Sequence, residues 1–469
     1  PSHNTVVDIA HTTQLPDPHR LTRWEGLRPS APSWQLSAMP VSNSRVPGFH
    51  RLSVTERRQL VAELADLDES DLDTWAATGE LSEEVAEHMI ENVVGTMSLP
   101  IGLATNFIID GSHFLIPYVI EESSVVAAAS NMAKRCIGTG GFRTNCDASI
   151  MIAQVQILGV SDIAAAIEAV YGNKAELIKE CNSLDSTIVK LGGGCKDIVC
   201  RSLDSDSGPM LVVHLLVDCL DAMGANALNT MSELIAPSLG RITGGKVNLR
   251  IMSNLATHRM ARVEAKWTPD SMADSGGENG EGIIQGIIEA YNFACADPYR
   301  AATHNKGVMN AISAVAVACG QDWRAVEAGC HSWVAYDQGK YGSMTRWNVD
   351  EEGNLVGTME CPMAVGIVGG ASKVHPVAKT NLKLLGVNSA QELAGVLACA
   401  GLAQNLGALR ALSTSGIQSG HMKLHAENMA ISAGAEGEEV GQVAEIIRQS
   451  NSPITQSAVA EALAKLRLQ

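Results

Sequence analysis

MIAQVQILGV (Met151–Val160), CKDIVCRSL (Cys195–Leu203), MLVVHLLV (Met210–Val217), AMGANALNTMSELIAPSL (Ala222–Leu239) and VNLRIM (Val247–Met252) decide the fold. The first, second, third and fifth alternate or run apolar over strand lengths. Between the first two, Ile163, Ile167 and Val170 recur at helical spacing, as do the apolar residues of the fourth stretch. The order β-α-β-β-α-β is that of a split βαβ, ferredoxin-like sheet with both helices on one face.

Outside this unit the pattern is helical. Upstream, Ser53-x-x-Glu56 is a capping-box sequence followed by Leu60, Val61, Leu64 and Leu67, and Val85, Met89 and Val93 share a second helical face. Downstream, Ile283, Ile284, Ile287, Ile288 and Tyr291 stripe one helix, Val308–Cys319 forms a nearly all-apolar second, and Ser389-x-x-Glu392 opens a third. The reading is an α+β chain: a helix-rich large domain (44–148 and 258–415), an inserted ferredoxin-like domain (149–257) and a C-terminal helical flap (416–469) broken by Gly434 and Gly437. Residues 1–43 hold six of the sixteen prolines and no apolar periodicity, and are expected to be a poorly ordered leader.

Composition bounds the function. The 469 residues carry a formal charge of −17, against a nucleic-acid partner. Eleven cysteines without a CxxC pair argue against a disulfide scaffold or zinc ribbon and favour a reducing compartment. No uninterrupted apolar run reaches the ~18 residues of a membrane span, so the expected location is cytoplasmic, with no membrane partner.

Several short motifs imitate or carry chemistry. GRITGGKV (Gly240–Val247) lacks the Ser/Thr of a P-loop, and GTGGFR (Gly138–Arg143) lacks the third glycine of a dinucleotide fingerprint; both read as glycine turns. His421 and His425 in HMKLH share a helix face, but Met422 replaces the glutamate of HExxH and no third ligand is visible, so no metal is expected. DAMGAN (Asp221–Asn226) stands where a strand gives way to a helix, with Gly224 open to close approach, a place for a pyrophosphate or amide, or simply a polar helix cap. Lys306 in HNKGVMN precedes an apolar helix with Asp322 at its far end, and Glu121–Glu122 follow a strand whose alternation turns one of them inward.

Taken in order, ENVVG (91–95), VIEESSVVAAAS (119–130), LGGGCKD (191–197), DAMGAN, DPYRAATHNKG (297–307), QDWRAVEAG (321–329), VGIVGGASKVHP (365–376) and GIQSGHMKLHAEN (416–428) resemble the class II 3-hydroxy-3-methylglutaryl-coenzyme A reductases from about Ser44 onward. The resemblance implies interconversion of hydroxymethylglutaryl-CoA (HMG-CoA) with mevalonate and coenzyme A through mevaldyl-CoA and mevaldehyde, with two hydride transfers. It implies Lys306 as the cation facing the oxyanion, Asp322 as its holder, Glu122 as a proton donor and His421 as the acid for the departing thiolate. It further implies Ser124, Asn254, Arg300 and Asn310 around the acyl group, and Gly192, Gly193, Asp221, Met223, Gly224 and Asn226 around the cofactor. Asp185 would accept from a free ribose 2′-hydroxyl and repel a 2′-phosphate, giving NAD(H) over NADP(H).

The resemblance also implies a homodimer or larger homo-oligomer with the active site between subunits and ENVVG at the interface. Ser123 stands where similar sequences carry proline. Arg45, Arg51, Arg57, Arg58, Lys134 and Arg135 are candidates for the coenzyme A phosphates, since an acidic chain binding anions needs local positive potential. The competing readings are a cysteine-dependent acyl-CoA thioesterase or transferase and a non-catalytic CoA-binding relative.

Overall fold

The computed structural model describes residues 41, 43–76, 81–273, 279–414, 426–449 and 455–468. Helix α1 (Val54–Ala65) starts on the full reciprocal box, Ser53 Oγ accepting from Glu56 N–H and the Glu56 carboxylate from Ser53 N–H. Helices α2 (Glu69–Ala76) and α3 (Glu83–Met89) follow, and α3 ends before Val93, which lies in a segment without regular structure. Val41, inside the stretch expected to be a leader, is buried against α1 and bridges His113.

Strands β1 (Ile101–Ile109) and β2 (Ser112–Val119) form a hairpin, and α4 (Val125–Arg135) leads to β3 (Phe142–Cys146). The inserted unit then runs β4 (Ile150–Leu158), α5 (Ile163–Gly172), α6 (Lys174–Cys181), α7 (Thr187–Lys190), β5 (Gly194–Leu203), β6 (Met210–Asp218), α8 (Ala225–Thr243) and β7 (Lys246–Ser253). Its four strands pair antiparallel in the order β5-β6-β4-β7, the ferredoxin-like arrangement read from the sequence. Alternate residues of β4 and β6, among them Met151, Val155, Leu211 and Val213, are buried with Leu228, Met231 and Ile235 of α8 in a cluster of their own. The first crossover holds three helices rather than the single one expected; α6 and α7, of eight and four residues, are too short to show an apolar stripe.

After β8 (Met260–Trp267) come α9 (Pro269–Met272), α10 (Gly280–Ala296), α11 (Pro298–Ala318), α12 (Trp323–Gln338), β9 (Thr345–Val349), β10 (Leu355–Pro362), α13 (Ala371–Val374), α14 (Pro376–Leu385) and α15 (Ala390–Ser413). Here the sequence reading was incomplete: a six-stranded sheet, β2-β1-β3-β8-β10-β9, runs through the helix-rich body. Helix α11 also begins at Pro298, capped by Asp297, so Lys306 lies inside it.

By length and composition α15 could cross a membrane, yet it is the core of this body. Its small residues permit that: a Cβ on Gly401 would stand 2.8 Å from Ile312 Cδ1 of α11, and one on Gly407 3.0 Å from Ala128 Cβ of α4. Near the C-terminus, Ala426, Ala430, Val443, Ile447, Val459 and Leu463 form a separate cluster around helices Glu438–Gln449 and Gln456–Leu466.

Candidate active site

Two turns build the site. At the first, β2 ends at Val119 and Ser124 takes φ +75° to start α4, a left-handed conformation uncommon for a non-glycine residue. The turn points Glu122 at α11, where Lys306 and Asn310, four residues apart, share a face. Lys306 Nζ donates to Glu122 Oε2 at 2.9 Å and Asn310 Nδ2 to the same oxygen at 3.4 Å. The Ser123 and Ser124 hydroxyl oxygens are buried beside them and find no partner among the described residues, although buried polar atoms are nearly always paired. Two unsatisfied hydroxyls next to a cation and a carboxylate are the signature of a polar ligand site. Arg300, in the first turn of α11, is partly desolvated and has no acid partner among the described residues.

At the second turn, DAMGAN, β6 passes into α8. The helix starts at Ala225, three residues later than expected, with Gly224 at φ +100° as an N-cap that offers no side-chain bond. A Cβ on Gly224 would fall 2.2 Å from Cys219 Sγ, so only glycine fits, and the first N–H groups of a 19-residue helix are left for a ligand. The Asp221 carboxylate accepts Ala390 N–H at 2.9 Å and is thereby tied to the start of α15. LGGGC lies alongside: Gly194 pairs with Asp218, and a Cβ on Gly193 would come within 2.7 Å of Asp218 O. Asp185 is exposed just before α7 and pairs with Lys190 at 2.5 Å. Met223 and Asn226 flank the glycine cap. This cradle suits the backbone-bound, anionic part of a nicotinamide cofactor.

The structure does not bring Asp322 to Lys306. Asp322 caps α12, accepting from Ala325 N–H at 3.1 Å, and pairs with Arg324 at 3.2 Å. Gln321 N–H bonds back to Ala316 O, so Asp322 leaves the helix at the level of a residue about 15 Å along α11 from Lys306. That exceeds the joint reach of the two side chains. Asp322 instead adjoins the DAMGAN turn, since Gln321 Oε1 accepts Gly366 N–H at 2.8 Å and Gly366 packs on Met223 N. Asn254 also backs onto α12, where a Cβ on Gly329 would meet its carbonyl oxygen at 2.7 Å.

His421, with the rest of 416–425, lies outside the described residues. Of the basic candidates, Arg57 donates to Phe49 O and His50 O, and Arg135 to Ser271 O and Ala273 O, whereas Arg45, Arg51 and Lys134 are exposed. Burial pushes the Cys136, Cys146 and Cys219 thiols up to about 12 and Cys200 up to about 11, the reverse of what a thiolate nucleophile requires. Cys195 is lowered by a hydrogen bond from Cys181, but both thiols are buried. Among the described residues no group of three His, Cys, Asp or Glu side chains is placed to hold a metal.

Behind the site, His304 lies buried on α11, its Nε2 within 2.8 Å of Ser343 Oγ, 3.0 Å of Thr345 Oγ1 and 3.1 Å of Asn405 Nδ2. Burial, aided by Arg300, lowers its pKa to about 3, and burial, Arg201 and His258 lower that of His214 to about 4. The unfolded chain therefore binds more protons in acid. The stability these groups confer is complete above pH ~6.5 and is lost as the pH falls towards their folded values. At pH 5 each costs about 2 kcal/mol. Thermal denaturation should show a falling midpoint from pH 7 to pH 5, and His304→Gln should flatten the slope; an unchanged midpoint would refute the burial argument.

Residues 53–426 match the family model for hydroxymethylglutaryl-coenzyme A reductase. The chain is 55% identical over 405 residues, 86% of its length and 91% of the relative's, to the 3-hydroxy-3-methylglutaryl-coenzyme A reductase of Archaeoglobus fulgidus. It is 32% identical over 378 residues, 80% of its length and 84% of the relative's, to the probable reductase of Borreliella burgdorferi. A solved class II enzyme from Streptococcus pneumoniae, bound to NADPH in open conformations, superposes with a TM-score of 0.75 at 39% identity, covering 89% of this chain and all of that one. Motif order, two-turn geometry and these likenesses agree: the chain belongs to the class II hydroxymethylglutaryl-coenzyme A reductase family.

Proposed function

We propose that this chain interconverts HMG-CoA with mevalonate and coenzyme A in two successive reductions, using NAD(H). The observation that carries the reading is the Lys306–Glu122–Asn310 cluster beside two unsatisfied serine hydroxyls. Thioester and aldehyde reduction both place negative charge on the former carbonyl oxygen, and the Lys306 ammonium is the cation positioned to stabilise it. Glu122 shares that network and delivers a proton as the alkoxide forms. Ser124 and Asn310 orient the acyl group, and Arg300 meets its terminal carboxylate with a guanidinium fork. His421 is assigned the proton taken by the leaving thiolate. The nicotinamide, held at DAMGAN and LGGGC, supplies hydride.

The site is shared between subunits of a homo-oligomer. Within one chain the Lys306 side chain is 60% exposed, too wet for strong charge stabilisation. The 90–99 segment holds out Ile90, Val94 and Met97 at 65%, 104% and 82% exposure, an apolar run that a second subunit would cover. With Asp322 anchored at the level of Ala316, about 15 Å along α11 from its own lysine, we assign it to the Lys306 of a partner chain. The divisions 44–148 with 258–415, 149–257 and 416–469 serve as substrate body, cofactor unit and flap, and the location is cytoplasmic.

The test follows the absorbance of reduced nicotinamide with HMG-CoA, and in reverse with mevalonate, coenzyme A and NAD. Turnover in either direction is expected; none would overturn the reading, and thiol release without it would favour a thioesterase. Cofactor choice is tested separately. Asp185 should give NADH a kcat/KM at least tenfold above NADPH, through repulsion of the 2′-phosphate, and Asp185→Ala should narrow the gap. Equal values in the unsubstituted enzyme would remove this role, and the NADPH bound by the streptococcal relative makes the comparison necessary.

A further inference from the structure

Arg259, in the loop between β7 and β8, is 4% exposed, and charged side chains are rarely so buried without an acid against them. Its guanidinium is spent on backbone carbonyls. Nη1 donates to Ala222 O at 3.1 Å and Met223 O at 3.2 Å, and Nη2 donates to Val365 O. Its own carbonyl accepts Met363 N–H at 3.0 Å, fixing the loop to the same segment beyond β10. Asp218 and Asp221 are near enough to be felt, but among the described residues neither forms an ion pair with it.

The turn it grips has reason to need gripping. Leu220 at φ +52° and Gly224 at φ +100° bracket Asp221–Met223, so the chain is strained on one side and unrestricted on the other. From the opposite direction Gly366 closes the packing, since a Cβ there would stand 2.6 Å from Met223 N. With Asp221 O accepting Ile367 N–H at 2.9 Å, the DAMGAN backbone is clamped between Arg259 below and the 365–367 segment beside it.

We propose that Arg259 is the positioning residue of the cofactor turn: its buried guanidinium ties the Ala222 and Met223 carbonyls to Val365 and so aims the open N–H groups of α8 at the anionic part of a nicotinamide cofactor. The inference rests on the function proposed above. It also answers how a chain of net charge −17 receives an anion. A guanidinium that stays protonated leaves a fixed positive charge under a helix N-terminus, where the two add.

The test is titration of the full-length protein with NADH, together with steady-state KM values for NADH and HMG-CoA, in Arg259→Met, Arg259→Lys and Gly366→Ala. Arg259→Met should weaken NADH binding about 10- to 100-fold, the scale of a misplaced binding group, and leave the HMG-CoA KM within about twofold. Arg259→Lys, which keeps the charge but not the fork, should recover part of the loss. Gly366→Ala, which presses on the same turn without touching the charge, should show the same selectivity for NADH and carries the test if Arg259→Met does not fold. Unchanged NADH affinity in the folded variants, or NADH and HMG-CoA parameters moving together, would overturn the proposal. A wild-type protein that binds no NADH would overturn the function reading instead.

Discussion

Lys306→Ala should lower kcat by about 10³-fold for HMG-CoA and by a similar factor for added mevaldehyde. Removing one well-aimed donor from an oxyanion site costs ~10²–10³, and a fixed ammonium belongs at the upper end. The loss should fall on kcat because the charge it faces develops only in the transition state. Both substrates should suffer because each passes through an oxyanion at the same carbon. Lys306 is an exposed side chain whose described bond is to Glu122, so the thermal midpoint should hardly move. The measurement is nicotinamide absorbance with each substrate in turn. Near-normal mevaldehyde reduction in the variant would take the lysine out of the second step and leave Glu122 or Asn310 to support it.

What was legible in the sequence followed from locality. The ferredoxin-like unit showed itself because β4 and β6 alternate or run apolar over strand length, with alternate residues packed with α8. The Ser53–Glu56 box is a four-residue signal and was readable as such. At Ser389 the same spacing gives only half a box: Ser389 Oγ accepts Glu392 N–H, but the glutamate turns to Asn388 N–H. The six-stranded sheet was hidden because four helices, α9 to α12, separate β8 from the β9–β10 pair, and β3 meets β8 across more than a hundred residues.

The site divides in the same way. Lys306 and Asn310 lie one helical turn apart and could be read together, whereas Glu122 joins them from 184 residues away and came only through motif order. Arg259 had no local signal at all, since its bonds run to carbonyls 36, 37 and 106 residues distant. The placement of Asp322 follows from α11 running unbroken from Pro298 to Ala318, which residue spacing alone does not show.

Mixing Lys306→Ala subunits with Asp322→Ala subunits should restore about a quarter of wild-type activity to two proteins that are each inactive. In a two-fold dimer whose sites take the lysine from one chain and the aspartate from the other, a mixed dimer holds one site with both groups and one with neither. Random exchange makes about half the dimers mixed, so about one site in four is whole. If both groups came from the same chain, every site in the mixture would lack one of them and activity would stay at the level of the parents. The geometry favours the first outcome, because Gln321 is anchored to Gly366 and to Ala316, leaving Asp322 no freedom to fold back along α11. Differently tagged subunits would verify that exchange occurred, so a silent mixture with proven mixed dimers would refute the shared site. Under the shared-site proposal, another chain's Lys306 docked beside Asp322 at the cofactor turn would bring the oxyanion and the hydride donor to one place.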